Sequence, residues 1–237
     1  MQSLSVVVPA FNERRRFPPF LAELLGFKEK NPFFKELIVV DDGSTDATMQ
    51  LLQQHAEQIR ILRHAENMGR GAAVRTGIMA ANGDFIVVMD ADGSARASQI
   101  QPMVSALEKF GIVIGCRNLP CSKITAKKPF AKHVISRVFN WYVNRLFKIG
   151  SWDVLNGFKG LRKETALLVA PAVASNGWIF DVELLVRAKA AGASIGEIPI
   201  EWGYVHGSKM RVNKETITAV FALRALKRKL VLEGALR

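Results

Sequence analysis

Apolar residues in the first half of the chain fall into short unbroken runs: Leu4-Ser5-Val6-Val7-Val8-Pro9, Leu37-Ile38-Val39-Val40, Phe85-Ile86-Val87-Val88-Met89 and Ile112-Val113-Ile114-Gly115. Runs of four to six without alternation fit strands buried on both faces of a parallel sheet. Helical patterns lie between them. Asp46 is placed to cap a helix over 47–57, and a second helix spans 71–81, so the order reads βαβαβαβ. Right-handed crossovers bring the carboxyl ends of such strands to one edge, where open α/β sheets bind ligands.

Polar residues interrupt this pattern at three strand ends. The first runs into Ala10-Phe11-Asn12-Glu13, the second into Asp41-Asp42-Gly43-Ser44-Thr45-Asp46 and the third into Asp90-Ala91-Asp92. One acidic tip alone reads as a turn or a helix cap, because Asp is a common turn former. Three on one edge point to a ligand. Two carboxylates with one residue between them suit Mg²⁺ or Mn²⁺, ions that take one or two carboxylates and complete their shell with water and substrate phosphate.

The second half has a different pattern. Segment 129–149 places Phe130, Val134, Val138, Trp141, Tyr142 and Leu146 near helical spacing among bases, and 216–232 sets Ile217, Val220, Phe221 and Leu230 beside Arg224, Lys227, Arg228 and Lys229. Basic amphipathic helices of this composition lie in the headgroup plane of an anionic membrane surface; the alternative is that their apolar stripes pack on the sheet. Charge sharpens the contrast. The net charge is +12, yet residues 1–115 carry 12 bases against 13 acids and residues 116–237 carry 21 against 8. The 37 residues from Cys116 to Trp152 hold no acid at all, which calls for an anionic partner.

The ordered segments Val6-Val7-Val8-Pro9-Ala10-Phe11-Asn12-Glu13, Val40-Asp41-Asp42-Gly43-Ser44-Thr45-Asp46, Asn67-Met68-Gly69-Arg70-Gly71 and Met89-Asp90-Ala91-Asp92 resemble the motifs of family 2 nucleotide-sugar glycosyltransferases. Segments 153–160 (DVLNGFKG), 178–185 (WIFDVELL) and 197–210 resemble the polyprenyl-phosphate branch, the dolichyl-phosphate glucosyl- and mannosyltransferases. The resemblance covers nearly the whole chain. It implies an α/β fold, a single GT-A (Rossmann-like) domain over 1–237, with a mostly parallel central sheet flanked by helices and basic amphipathic helices after it. Residues 1–115 would bind the nucleotide sugar, and 116–237 would face acceptor and membrane. It implies inverting, metal-dependent hexose transfer from a nucleotide diphosphate sugar to a polyprenyl or dolichyl phosphate. The donor site would comprise Pro9, Phe11, Glu13, Val39, Asp41, Asp42, Arg70, Asp90 and Ala91, with Lys209 and Arg211 as a lid and the metal on Asp90 and Asp92. Phe11 stands where tyrosine is usual, a change that keeps the ring and loses one hydroxyl.

On the acceptor side, Arg117, Arg137 and Ser136 would meet the lipid phosphate, since guanidinium forks match phosphate oxygens. A phosphate monoester is already anionic at neutral pH, so a general base is dispensable. Asp153 therefore stays open as a base, an orienter of Arg117 or a structural cap. Asp181, at a helix start, reads as an acid serving the helix dipole rather than as a catalytic group. The Asp-Ala-Asp-Gly form favours glucose and UDP-glucose; GDP-mannose comes second, and a UDP-N-acetylhexosamine stays open.

Two rival classes find less support. A basic nucleic-acid binder lacks any helix-turn-helix, zinc-finger, RNP or GXXG signature, so no nucleic-acid partner is expected. A dinucleotide-dependent oxidoreductase is suggested by Gly69-Arg70-Gly71-Ala72-Ala73-Val74, which fails at the third glycine of G-x-G-x-x-G. Cys116, Cys121 and the four histidines match no zinc spacing and read as structural in a reducing compartment. No apolar run approaches the roughly 18 residues of a membrane span, and a strand beginning at Leu4 leaves no room for a signal peptide. The expected location is cytoplasmic, peripheral on the cytoplasmic face of a membrane. Lipid chain length, pathway and oligomeric state are not written in these residues.

Overall fold

A computed structural model describes residues 2–126, 130–203 and 212–234, without the side chains of 130–133 and 212–219. The first half forms β1 (Leu4–Ala10), α1 (Phe17–Lys30), β2 (Phe34–Asp41), α2 (Thr48–Gln53), β3 (Arg60–Arg63), α3 (Arg70–Ala80), β4 (Phe85–Val88), α4 (Ile100–Leu107) and β5 (Ile112–Cys116). The second half adds β6 (Lys123–Ala126), α5 (Phe130–Phe147), β7 (Lys159–Arg162), α6 (Lys163–Val169), α7 (Phe180–Ala190), β8 (Ile195–Pro199), β9 (Glu201–Gly203) and α8 (Val212–Leu232).

Seven strands form one sheet in the order β3-β2-β1-β4-β7-β5-β8. β1 pairs in parallel with β2 and β4, and β3 continues the parallel set beyond β2. The strand β7 enters antiparallel between β4 and β5. β8 then lies parallel to β5, and β6 with β9 makes a separate parallel pair. The mostly parallel sheet expected from the buried runs is thus present, completed by two strands from the second half, β7 and β8. The helix α5 precedes β7 in the chain, and only α8 follows the last strand.

The alternation of the strands builds two cores. Val7, Ile38, Val40, Ile86 and Val88 face α3, α5, α6, α7 and α8. Val6, Val8, Leu37, Val39, Phe85 and Val87 face α1, α2 and α4. Because successive side chains point to opposite faces, a strand apolar at every position is what a sheet covered on both sides requires. α1 buries Phe17, Phe20, Leu21, Leu24 and Leu25, the spacing of one helix face, and begins with proline in its first turn.

The helix expected over 47–57 is shorter. It stops at Gln53, after which single helical turns lead to β3. Residues 53–58 put no apolar side chain inside, so nothing holds a longer helix down. Asp46 does act at its start, accepting the Thr48 N–H at 2.9 Å.

In α5 the buried face is Phe139, Val143 and Phe147, while Val134, Val138 and Trp141 are exposed. In α8 Leu223, Leu226 and Leu230 are buried and Phe221 is exposed. Each helix therefore has an apolar face on the core and further apolar residues outside it. The two are joined by a hydrogen bond from Arg224 Nε to the Tyr142 hydroxyl at 3.1 Å.

Candidate active site

The tips of β1, β2 and β4 open into one cleft of about 520 Å³, lined by Pro9, Phe11, Glu13, Asp42, Arg70, Asp90, Ala91 and Asp92 together with Arg16, Trp178 and Asp181. Parallel pairing of β2, β1 and β4 makes this convergence, since all three carboxyl ends then fall on one edge. Asn12 ties two tips together: its amide oxygen accepts the N–H groups of Thr45 and Asp46, at 2.8 and 3.2 Å.

Asp42 organises the next wall. Its carboxylate accepts the Met68 and Gly69 N–H groups at 3.0 and 2.9 Å and bonds His64 Nδ1 at 2.7 Å. This holds the loop that delivers Arg70 at the start of α3. The two glycines around Arg70 have a packing reason. Cβ atoms at Gly69 and Gly71 would lie 2.6 and 2.8 Å from the Asn176 carbonyl oxygen, which accepts the Ala72 N–H at 3.1 Å. The partial dinucleotide fingerprint thus reflects close approach of the 176–177 backbone to the helix start.

Arg70 bridges two acids, with Nε 2.8 Å from Asp90 Oδ1 and Nη1 2.8 Å from Asp181 Oδ2. Asp181 in turn accepts Lys159 Nζ at 3.0 Å. Burial disfavours the charge on Arg70, but Asp181 and Asp90 outweigh it and raise its pKa further above the ordinary range. Burial lowers the pKa of Lys159, with Asp181 opposing and Arg70 adding to the fall. Gly157 makes the bridge possible. A Cβ there would run into the Asp90 carboxylate and lie 2.6 Å from Arg70 Nη2. Asp181 was expected to serve only the dipole of α7; it does sit in the first turn, but it also reaches the cleft as the buried partner of two cations.

Asp92 accepts the Ser94 N–H at 3.0 Å, and its pKa is raised by burial first and by the neighbouring Asp90 charge second. Two carboxylates with one residue between them at a strand tip, one of them already on a guanidinium, are a donor set suited to a cation. Among the described residues no cluster of three or more His, Cys, Asp or Glu could hold a metal by itself. The pair therefore fits an ion that completes its shell with substrate oxygens and water.

Other residues singled out from the sequence lie behind or away from this cleft. Val39 turns its side chain into the core, and Asp41 is fully buried, bonded by the Ser44 N–H at 3.2 Å and ion-paired with Arg63 at 3.2 Å. Of the second tip, Asp42 is the residue that lines the cleft. Arg117 and Asp153 form a close pair outside it: the Arg117 N–H and Nε donate to Oδ2 at 2.9 and 2.7 Å, and Nη2 donates to Oδ1 at 2.5 Å. The guanidinium also lies over the Trp202 ring, 5.0 Å from its centroid. Asp153 is fully buried and its carboxylate is spent on the Arg117 guanidinium and N–H. Arg137 is exposed and Ser136 half-buried on α5, and neither lines the cleft. Lys209 and Arg211 lie outside the described residues. Cys116 is buried and its thiol is pushed up to about 12 by that burial, which leaves it inert; Cys121 is exposed.

Sequence reasoning missed Arg16, Lys159 and Trp178. Arg16 pairs with Glu13 three residues earlier, a helical-turn spacing that could have been read. Lys159 is the one lysine of the DVLNGFKG segment, and Trp178 packs on Phe139 of α5 with ring centroids 5.2 Å apart.

Residues 5–167 match the family model described as Glycosyl transferase family 2. The dolichyl-phosphate beta-glucosyltransferase of Dictyostelium discoideum is 34% identical over 223 residues, covering 87% of this chain and 68% of that protein. That of Saccharomyces cerevisiae is 33% identical over 237 residues, covering 90% of this chain and 71% of its own length. The structure of glucosyl-3-phosphoglycerate synthase from Mycobacterium tuberculosis, 18% identical, superposes with a TM-score of 0.69 over 95% of this chain and 80% of that one, which shows a shared GT-A-like fold. The converging acidic strand tips, the family match and the relatives at a third identity lead to one assignment: the chain is a glycosyltransferase of family 2, of the dolichyl-phosphate glucosyltransferase-like kind.

Proposed function

We propose that the protein transfers glucose from UDP-glucose to dolichyl or a related polyprenyl phosphate, with a divalent ion, Mg²⁺ or Mn²⁺, held by Asp90 and Asp92. The observation that carries this reading is the meeting of Asp42, Arg70, Asp90 and Asp92 in one cleft at the sheet edge. The relatives named above bear dolichyl-phosphate beta-glucosyltransferase as their name, which favours glucose over mannose, and the mycobacterial synthase has been crystallised with Mn²⁺ and UDP-glucose. A β product from an α-linked nucleotide sugar means inversion, hence one displacement at the anomeric carbon.

The ion would supply charge neutralisation to the departing diphosphate. Phe11 offers a ring to the base, and Arg70 a cation to the phosphates. The acceptor phosphate, already charged, needs alignment more than deprotonation. Asp153 holds the Arg117 fork in one orientation, so a remaining edge of the guanidinium can be presented to an anion without rotamer search. Arg137, and Ser136 beside it, would meet the same phosphate as the lipid comes down α5.

The acceptor is anchored in a bilayer, and the outer surface of α5 and α8 suits contact with one. Val138, Trp141 and Phe221 are 59%, 66% and 66% exposed, beside Arg137, Arg145, Arg224 and Arg228. Among the described residues no helix is long and apolar enough to cross a membrane, so this surface would rest on anionic headgroups, on the cytoplasmic face where such lipids are concentrated. The test is transfer from a panel of radiolabelled UDP-glucose, GDP-mannose and UDP-N-acetylglucosamine into membranes containing dolichyl phosphate, with Mg²⁺, Mn²⁺ or chelator. Label from UDP-glucose reaching the organic phase only with metal is the expected result. Label from GDP-mannose alone, or none from any donor, overturns the reading.

A further inference from the structure

Arg70 has two seats that differ in kind. Asp90, the outer seat, belongs to the carboxylate pair that suits a divalent ion, and its side chain is 35% exposed. Asp181, the inner seat, is 7% exposed and fixed from behind by Lys159, which also donates to the Asn156 carbonyl. The third guanidinium nitrogen, Nη2, is buried without a hydrogen-bond partner among the described residues. A guanidinium with one nitrogen idle and another on a metal-suited carboxylate has a second arrangement within reach. An acid whose only task was to serve the α7 dipole would not need a buried lysine under it.

We propose that Arg70 is the resident cation of the Asp90–Asp92 pair, and that Asp181, seated on Lys159, is the positioning residue that keeps Arg70 in the cleft when Asp90 passes to a divalent ion. This rests on the reading above that such an ion and a nucleotide diphosphate share the cleft. Arg70 gives up Asp90, stays hinged on Asp181 through Nη1, and turns Nε and Nη2 towards the donor diphosphate. Before that exchange the guanidinium blocks the ion by charge and occupies one of its oxygens. Afterwards it rewards the nucleotide. Ion and nucleotide therefore bind as a coupled pair, each weakly alone. A permanent structural bridge from Asp90 to Asp181 is the competing account, and it leaves only the coupling that the nucleotide's own phosphate oxygens supply as ligands of the ion, independent of Arg70.

Mn²⁺ titrated into the full chain, followed by calorimetry and by loss of the free-ion electron paramagnetic resonance signal, separates the two. It is done with and without saturating UDP on the wild type, Arg70→Gln and Asp181→Asn. Couplings between sites are commonly about 5- to 150-fold. The expected result is that Arg70→Gln binds Mn²⁺ alone about fivefold or more tighter than wild type and that UDP improves its affinity about fivefold or more less than it does in wild type. Asp181→Asn binds Mn²⁺ alone more weakly, because Arg70 then leans on Asp90 only, and its UDP coupling shrinks. Both accounts let Arg70→Gln free Asp90 for Mn²⁺, so the fall in UDP coupling, in a variant that still binds Mn²⁺, decides the matter even if Asp181→Asn unfolds. Wild-type coupling to UDP retained by Arg70→Gln overturns the proposal alone. A wild-type chain that binds neither Mn²⁺ nor UDP overturns the reading of the cleft, and the proposal with it.

Discussion

Arg16, Arg70 and, just outside the cleft, Arg117 each lie on a carboxylate, whereas Arg137, Arg145 and Lys148 stand exposed on a stretch of chain that contains no acid at all. Cations of the first kind are oriented before any ligand arrives, and a ligand must take over their partners. Cations of the second kind create a field, which acts at a distance and yields to salt. The difference teaches that the +12 net charge is laid out in two ways: guanidinium forks fixed on carboxylates in and beside the cleft, and exposed bases that set up a diffuse positive field over the helix pair α5 and α8.

The sharpest way to break this division is at the strand tip. Asp92→Asn is expected to lower glucosyl transfer about a thousandfold, since losing a ligand of a Lewis acid costs several kcal/mol in the transition state. Its thermal unfolding should match wild type. Retention of more than about a tenth of the activity would make Asp92 a mere turn former.

Next in size is the Arg117 fork. Arg117→Ala takes the guanidinium off the buried Asp153 carboxylate, leaving it the residue 117 N–H, and should cost about 3 to 5 kcal/mol in chemical denaturation. Arg117→Ala combined with Asp153→Ala should recover a large part of that cost while transfer stays absent. A loss in the double variant equal to the sum of the losses in Arg117→Ala and Asp153→Ala alone would show that the pair is not coupled.

The helix surface should respond differently. Neutralising Lys227, Arg228 and Lys229 together is expected to weaken binding to anionic vesicles by about 1 kcal/mol per charge. UDP binding should be untouched, and raised salt should mimic the variant. Sedimentation with vesicles of increasing phosphatidylserine content reads this directly; a parent protein that ignores such vesicles removes the membrane from the picture.

The smallest effect concerns pH. Burial and Asp90 hold the Asp92 carboxyl above its ordinary 3.8, so the folded chain keeps that proton more readily than the unfolded chain. Its contribution to stability is present at acid pH and is lost as pH rises through the raised value. Metal affinity should move the opposite way, rising as pH passes upward through the raised value. Mn²⁺ affinity that is flat through that value would remove Asp92 from the ligand set.

The strand tips could be read from the sequence because their signal is local: buried runs of apolar residues stop, and acids follow within two positions. Arg70 and Asp90 could be read for the same reason. Their joint partner could not, because Arg70 and Asp181 are 111 residues apart and Asp181 looks like any acid in a first helical turn. The pairing of Arg117 with Asp153 was one of three open possibilities, because the two lie 36 positions apart and only the fold brings them together. The amphipathic helices were legible as helices, but which apolar residues face out was not. Periodicity finds a stripe without saying which side the sheet occupies, and in α5 the core took Phe139, Val143 and Phe147 instead.

The position of β7 has a bearing on how the chain is made. β4 and β5 belong to the first half, yet they do not touch as strands; each hydrogen-bonds to β7, which lies more than forty residues beyond β5 in the chain. A nascent chain ending near residue 115 therefore presents an open β4 edge of four fully buried apolar residues and a β5 with nowhere to pair. Such an edge is a template for association with other chains. Residues 1–115 by themselves lack the strand that joins β4 to β5, and a chain still being made keeps both edges open until residues 159–162 emerge and close the gap.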